Sequence, residues 1–351
     1  MMYLLLKKSL LSLISILAVI MIIYFIIYKS NIDPTSLNLG QRNDSKTIEN
    51  LKRQNYFDQN YFVQIIKYLS DISPIQFISI NDFRLENYKF RNLAQFGQTL
   101  LIIKVPYLRR SIVNGELVGQ LIIKAMLPNL LLAFSSILIA ILAGIGLGIL
   151  SVQFYNKWQD HFISSFCSLG FSIPSYISAI FFSIVFGFIL FPLLGLPMQG
   201  SLYELNDSGD SQLKLVNLIL PSIALGIRPI SVICQMTRSS ILEVMQQNYI
   251  RTAKAKGLPS VRFIGQHLLK NAMNPIITTI SSWLASLLTG SFFIEYVFNY
   301  RGLGDLLINA MNSFDVPLIL GCCILITIVF SLINLITDMI YSLLDPRIKT
   351  N

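Results

Sequence analysis

The feature that most constrains this chain is a series of long runs with almost no charge. A hydrocarbon core roughly 30 Å thick is crossed by about 20 helical residues, and six stretches reach that length: residues 9–28, 125–156, 162–203, 215–237, 271–294 and 316–337. Only the fourth is interrupted, by Arg228. Composition agrees, with 54% apolar and 13% charged residues and a mean hydropathy of 0.62, which excludes an ordinary soluble domain. The first run follows Lys7 and Lys8, as a signal-peptide core would. It is long for that role and no small-residue cleavage site follows it, so it is read as an uncleaved span. The expected fold class is an all-α integral membrane protein with six transmembrane helices and a long external insertion after the first. The expected divisions are 1–28 as cytoplasmic N-terminus and first helix, 29–120 as the insertion, and 121–351 as a five-helix core.

Cations in the short loops set the orientation. Lys7 and Lys8 precede span one, Lys157 lies between spans two and three, and Arg238, Arg251, Lys254, Lys256, Arg262 and Lys270 lie between spans four and five. Arg347 and Lys349 close the chain. These loops are cytoplasmic if both termini are inside, which accounts for the net charge of +9 without nucleic acid. Glu204, Asp207, Asp210, Glu295, Asp305 and Asp315 then lie at the outer side. The long segment after span one carries both signs and translocates regardless of charge. Within it, Phe57, Tyr61, Ile65 and Leu69 recur at helical spacing and predict one amphipathic helix, suited to capping the outer face or to docking another protein.

Several chemistries are excluded. No phosphate loop of the G-x-x-x-x-G-K-[ST] type occurs, so the chain does not carry its own P-loop ATPase. Cys167, Cys234, Cys322 and Cys323 all lie in apolar stretches and read as small buried hydrophobes. His161 and His267 are too far apart in sequence for metal-ligand spacing, and no serine, histidine and carboxylate arrangement can be assembled. Ala140, Gly144 and Gly148, spaced at four, predict close helix packing in lipid.

Between spans four and five the sequence "TRSSILEVMQQNYIRTAKAKGLPSVRFIGQHLLKNAMNP" is helix-favouring on both sides of Gly257. Tyr249, Ala253 and Gly257 are spaced to share one face, with Arg251, Lys254 and Lys256 elsewhere. Pattern alone leaves open an interfacial helix whose cations meet anionic lipid. "YIRTAKAKG" followed by "HLLKNAMNP" goes further: it resembles the cytoplasmic EAA-type loop of ABC importer permeases of the dipeptide, oligopeptide and nickel family, in pattern nearest the B-type permease subunit. "GSFFIEYVFNYRGLGDLLINAMNSFDVPLILG", "INLITDMIYSLLDPRI" and "LGFSIPSYISAIFF" resemble other parts of the same family, covering roughly 127–348. The Glu and first Ala of the general EAA motif are absent, and Arg301 stands where the family has proline before Gly-Leu-Gly.

The resemblance implies a type I ABC importer permease fold with the coupling loop at about 238–272. It implies that Tyr249, Arg251, Thr252, Ala253, Lys254, Ala255, Lys256 and Gly257 form the coupling element, with Arg251, Thr252 and Ala253 at the EAA triplet and Gly257 as its glycine. It also implies a second related permease, two P-loop ATPase subunits and an external substrate-binding protein as partners, in the plasma (inner) membrane. Peptide would be the cargo, and ATP and Mg would be used by the ATPases, with no cofactor on this chain. Arg228, costly inside a span, is expected to hold a peptide carboxylate in the pathway, to cap carbonyls beside Pro229, or to pair with an acid. Nickel or another small solute as cargo, an ion-coupled secondary transporter and a non-transporting scaffold remain as alternatives.

Overall fold

The structure is a computed structural model that describes residues 2–30, 45–206, 208–255, 259 and 263–344. The chain divides into two compact units, Met1–Ala125 with Leu306–Ile328, and Met126–Asp305 with Val329–Asn351.

In the first unit, α1 (Met2–Ser30) is the first membrane helix. It is followed by α2 (Ser45–Asn55), α3 (Tyr61–Ile72) and a three-stranded antiparallel sheet of β1 (Ile75–Ser79), β2 (Phe90–Phe96) and β3 (Thr99–Lys104), in the order β1-β3-β2. The predicted amphipathic helix is α3, which turns Ile65 and Tyr68 inward. The sheet had no counterpart in the sequence reading. Its strands are short: β1 alternates, burying Gln76 and Ile78 while Ile75, Phe77 and Ser79 stay exposed, and β3 buries Leu100, Ile102 and Lys104 in the same way, but its sequence Thr-Leu-Leu-Ile-Ile-Lys does not alternate in polarity. β2 is exposed along most of its length and contains a bulge between Asn92 and Ala94, so it lacks the two-residue period on which a strand is recognised.

Two buried carboxylates tie this unit together. Asp71 accepts hydrogen bonds from Tyr88 Oη at 2.6 Å, Arg109 Nε at 2.9 Å and Arg84 Nη1 at 3.3 Å. Arg109 also donates to the Asn55 carbonyl and to Tyr24 Oη on α1. Asp315, at the start of α12 (Val316–Leu344), accepts from Ser111 Oγ, from the Ile112 amide at 3.2 Å and from the Leu318 amide at 3.4 Å. Around them Ile20, Tyr24, Ile65, Tyr68, Val316, Leu320 and Ile324 form one apolar cluster.

The second unit is built mainly on long helices. These are α4 (Val118–Gln153), α5 (Trp158–Ser172), α6 (Ser175–Phe182), α7 (Val216–Met245) and α9 (Lys270–Gly290), with the short α8 (Asn248–Ala255) between the last two. A hairpin of β4 (Tyr203–Leu205) and β5 (Ser211–Leu213) precedes α7, and α10 (Phe292–Val297) and α11 (Leu303–Asn312) follow α9. By length and composition four helices qualify as membrane crossings among the described residues: residues Leu10–Lys29, α4, α7 and Val316–Thr337. Trp158–Ser172 and Ser175–Ile189, bent by 107° where they meet, make a fifth if the pair counts as one span. Span three was expected to supply one helix. Pro174 breaks it, because proline has no N–H to donate and forces Ile173 into an extended conformation (φ −74°, ψ 126°). The fifth expected span, 271–294, corresponds to α9, which has the length at 21 residues but carries Asn271, Asn274, Thr278, Thr279, Ser281 and Ser282 among its apolar residues.

The expected small-residue packing is present. A Cβ on Gly144 would meet Ile233 at 2.9 Å, and one on Gly148 would meet Thr237 at 2.6 Å, both on α7. Ala140 is completely buried. Without a hydrophobic drive between helices in lipid, such close approach is what gains dispersion energy.

Candidate functional site

The loop singled out by sequence begins where α7 ends. Its last turn closes through the Gln246 and Gln247 amides, which bond the Glu243 and Val244 carbonyls. α8 follows at once, with the Ile250 amide on the Gln247 carbonyl. Ile250 (3% exposed) and Ala253 (7% exposed) form the inner stripe of α8. Ile250 packs with Ile241 of α7, with Leu268, and with Ala272 and Ile276 of α9. Arg251 and Thr252 face outward, and Tyr249 is 49% exposed.

This corrects one expectation. Tyr249 and Ala253 were placed on one face, but residues four apart are offset by about 40° around a helix. Here the offset decides the matter: Ala253 lies against its own chain and Tyr249 lies at the rim. The small side chain at 253 is therefore covered by its own chain. Lys254 and Ala255 continue α8, and Lys256 and Gly257 lie outside the described residues.

The root of the loop is fixed by a carboxylate that lies outside the loop, in the first turn of α5. Asp160, 1% exposed, accepts from Arg238 Nε and Nη2, each at 2.8 Å. It also accepts from Ser151 Oγ and from the Asn156 amide at 3.1 Å. Four groups thus bind one carboxylate, and the C-terminal part of α7 is tied to the turn between α4 and α5. The Arg238 guanidinium also lies 5.6 Å from the centre of the Tyr155 ring, within range of a cation–π contact. Nothing in the local pattern pairs two residues 78 positions apart.

Beside this root is a cavity of about 320 Å³ lined by Ser240, Glu243, Gln247, Tyr249, Asn271 and Asn274. It opens between the end of α7 and the starts of α8 and α9.

Arg228 takes none of the hydrogen-bonding roles foreseen for it at Nε, which is buried with no partner. Its guanidinium lies 5.5 Å from the centre of the Phe171 ring, so an aromatic face of α5 offsets part of the cost of the charge.

At the other end of the second unit, Glu295 on α10 is completely buried. One oxygen accepts from Asn129 Nδ2 at 2.7 Å and Ser291 Oγ at 2.5 Å. The other accepts from the Gly304 and Asp305 amides at 2.7 and 3.1 Å, at the start of α11. Gly302 and Gly304 are required here, since a Cβ on either would lie within 3.0 Å of the carboxylate, and on Gly304 within 2.4 Å of Phe292 Cα. Arg301 donates its amide to Ser201 Oγ at 3.3 Å, a bond that proline at this position could not make.

Residues 136–350 match the family described as binding-protein-dependent transport system inner membrane component, and residues 1–81 match its N-terminal component. A Brucella ovis protein bearing a peptide permease name is 38% identical over 235 residues, 67% of this chain and 72% of its own length. The dipeptide transport system permease protein DppB of Bacillus subtilis is 36% identical over 220 residues, covering 62% of this chain and 66% of that protein. The glutathione transport system permease protein GsiC of Salmonella paratyphi A is 29% identical over 343 residues, 97% of each. In fold, the chain is similar to an inward-facing structure of the MetNI methionine ABC transporter, with a TM-score of 0.52 and 17% identity, over 65% of this chain and 97% of that one.

The helices, the loop and these likenesses define the class: a multi-pass permease, the membrane component of an ABC importer, whose ATP hydrolysis belongs to separate subunits. Within that class the chain belongs to the binding-protein-dependent transport system inner membrane component family.

Proposed function

We propose that this subunit imports oligopeptides or dipeptides by alternating access. In this reading it pairs with a second, related permease, and α8 of each inserts into one of two P-loop ATPase subunits. An external binding protein delivers the cargo. ATP and Mg act in the partner subunits, and no cofactor sits on this chain. Both termini are cytoplasmic, the segment 29–120 is external, and 121–351 is the permease core.

One observation carries the coupling assignment. α8 is held from behind by Ile250 and Ala253, its root is clamped by Arg238 and Asp160, and Tyr249, Arg251 and Thr252 are left outward. A force applied to that outer face is transmitted to α7 and α9 through packed side chains rather than absorbed in a loose loop. Lys254, Lys256 and Gly257 complete the element in this reading. Exposed ion pairs with an ATPase contribute only about 0–1 kcal/mol each, so shape carries most of the coupling. Arg228 contributes a positive charge to the translocation path.

Peptide cargo rests on the peptide, dipeptide and glutathione permease names of the relatives. Gentle detergent purification of the tagged subunit from its native membrane tests the assembly. Recovery of a second permease and P-loop ATPases, followed by uptake of labelled di- and oligopeptides in proteoliposomes, is the expected result. A solitary subunit overturns the assembly, and uptake of nickel without peptide overturns the cargo.

A further inference from the structure

We infer that α3 is an interfacial helix embedded in the bilayer, with Phe62 and Ile66 in contact with lipid acyl chains. Three observations place it at membrane depth. Tyr61 Oη donates to the Met21 carbonyl of α1 at 3.0 Å. Met21 lies two helical turns before Tyr28, the last residue of the uncharged run, and so about 10 Å inside its end at 1.5 Å per residue. Ile65 and Tyr68 pack with Ile20 and Tyr24 of α1 and also with Val316, Leu320 and Ile324. The latter are the first turns of another apolar crossing, Val316–Thr337. α3 therefore rests on the ends of two membrane helices at once, below the level where their apolar segments stop.

The outward face of α3 matches that depth. Phe62 is 69% exposed and Ile66 is 64% exposed. They are four residues apart and share one face. A helix bathed in water on that side would carry polar residues there. The face is continuous with the lipid-facing side of α1, where Met21, Ile22, Phe25 and Ile26 are likewise exposed. Tyr28 and Tyr61, with ring centres 5.8 Å apart, form the aromatic pair typical of the headgroup level. The inner face is what keeps such a helix from sliding free, because it places Asp71 in the buried cluster with Arg84, Tyr88 and Arg109. Interfacial helices of this kind sink about 5–10 Å into the boundary between headgroups and acyl chains. The segment after the first span is then a membrane-anchored collar around the ends of α1 and α12.

Single-tryptophan variants of the full chain, with its copurifying subunits in lipid nanodiscs, test this. Trp158 and Trp283 are replaced by Phe, and Phe62→Trp, Ile66→Trp and the exposed loop control Gln59→Trp are compared. The expected result is blue-shifted emission at 62 and 66, quenched by brominated phosphatidylcholine and spared by aqueous acrylamide, with the order reversed at 59. Acrylamide access at 62 and 66 equal to that at 59 overturns the inference in favour of water. Protection from both quenchers overturns it in favour of a protein partner. If the tryptophan background does not insert, spin labels on Phe62→Cys and Ile66→Cys give the same discrimination through their relative exposure to oxygen and to a water-soluble nickel chelate. Peptide uptake is a separate readout, so failure here leaves the cargo assignment standing.

Discussion

The Arg238 guanidinium meets the Asp160 carboxylate edge to edge, Nε to Oδ1 and Nη2 to Oδ2, both at 2.8 Å. Two parallel charge-assisted bonds fix direction as well as distance, and lysine offers neither the fork nor the stacking on Tyr155. Arg238→Ala leaves a buried carboxylate with two partners lost. Breaking a buried pair costs about 3–5 kcal/mol, and the Arg238 side chain is 29% exposed, which puts the expected loss at the lower end, about 3 kcal/mol. Arg238→Lys should keep the protein in the membrane while reducing cargo-stimulated ATP hydrolysis more than basal hydrolysis. Equal activity of the lysine variant would show that the clamp plays no part in coupling.

On α8, two substitutions separate packing from contact. Ala253→Leu overfills a buried position on the inner face of α8 and should cost about 1–3 kcal/mol, read as a lower melting temperature in detergent together with lost uptake. Arg251→Glu faces outward and should leave stability within about 0.5 kcal/mol, while weakening recovery of the ATPase subunits on affinity purification.

The outer staple predicts a strong glycine requirement. Gly304→Ala forces a Cβ to within 2.4 Å of Phe292 Cα, which backbone cannot yield cheaply. Thermal unfolding should show a loss of about 1–3 kcal/mol. Glu295→Ala strands the Gly304 and Asp305 amides, while Asn129 Nδ2 keeps its 2.9 Å hydrogen bond to Ser291 Oγ. Each stranded buried group costs about 1–3 kcal/mol, so this variant should be the less stable of the two by the same assay.

The β4–β5 hairpin should loosen in acid. Lys214 Nζ, hydrogen-bonded to Glu204 at 2.7 Å, holds the Glu204 carboxyl below the usual carboxylate range, with burial opposing and Asn217 assisting. A carboxyl depressed in the folded state stabilises above its unfolded value, about 4.3, and that stabilisation is lost as pH falls through the folded value. Exchange of the Lys214 amide, which bonds the Leu202 carbonyl, should accelerate below about pH 4 relative to a Glu204→Gln variant. Parallel profiles for the two proteins would remove Glu204 as the cause.

Much of the architecture was legible because membrane depth imposes a length that sequence must meet: residues 9–28, 125–156, 215–237 and 316–337 announced their helices by lacking charge. Gly144 and Gly148 announced their packing because only small residues at four-residue spacing allow that approach. α8 and its cations were legible by local pattern and resemblance. The direction of Ala253 was not, since a 40° offset between residues four apart is resolved only when neighbouring helices choose a side. The carboxylates were beyond local pattern altogether. Asp160, Glu295 and Asp71 each gather donors from residues far apart in the chain, and a charged residue at a span boundary looks the same whether solvated or buried. Tertiary structure alone decided that these three are enclosed and fully engaged, because burying a charge is tolerable only where the fold delivers enough donors to replace water.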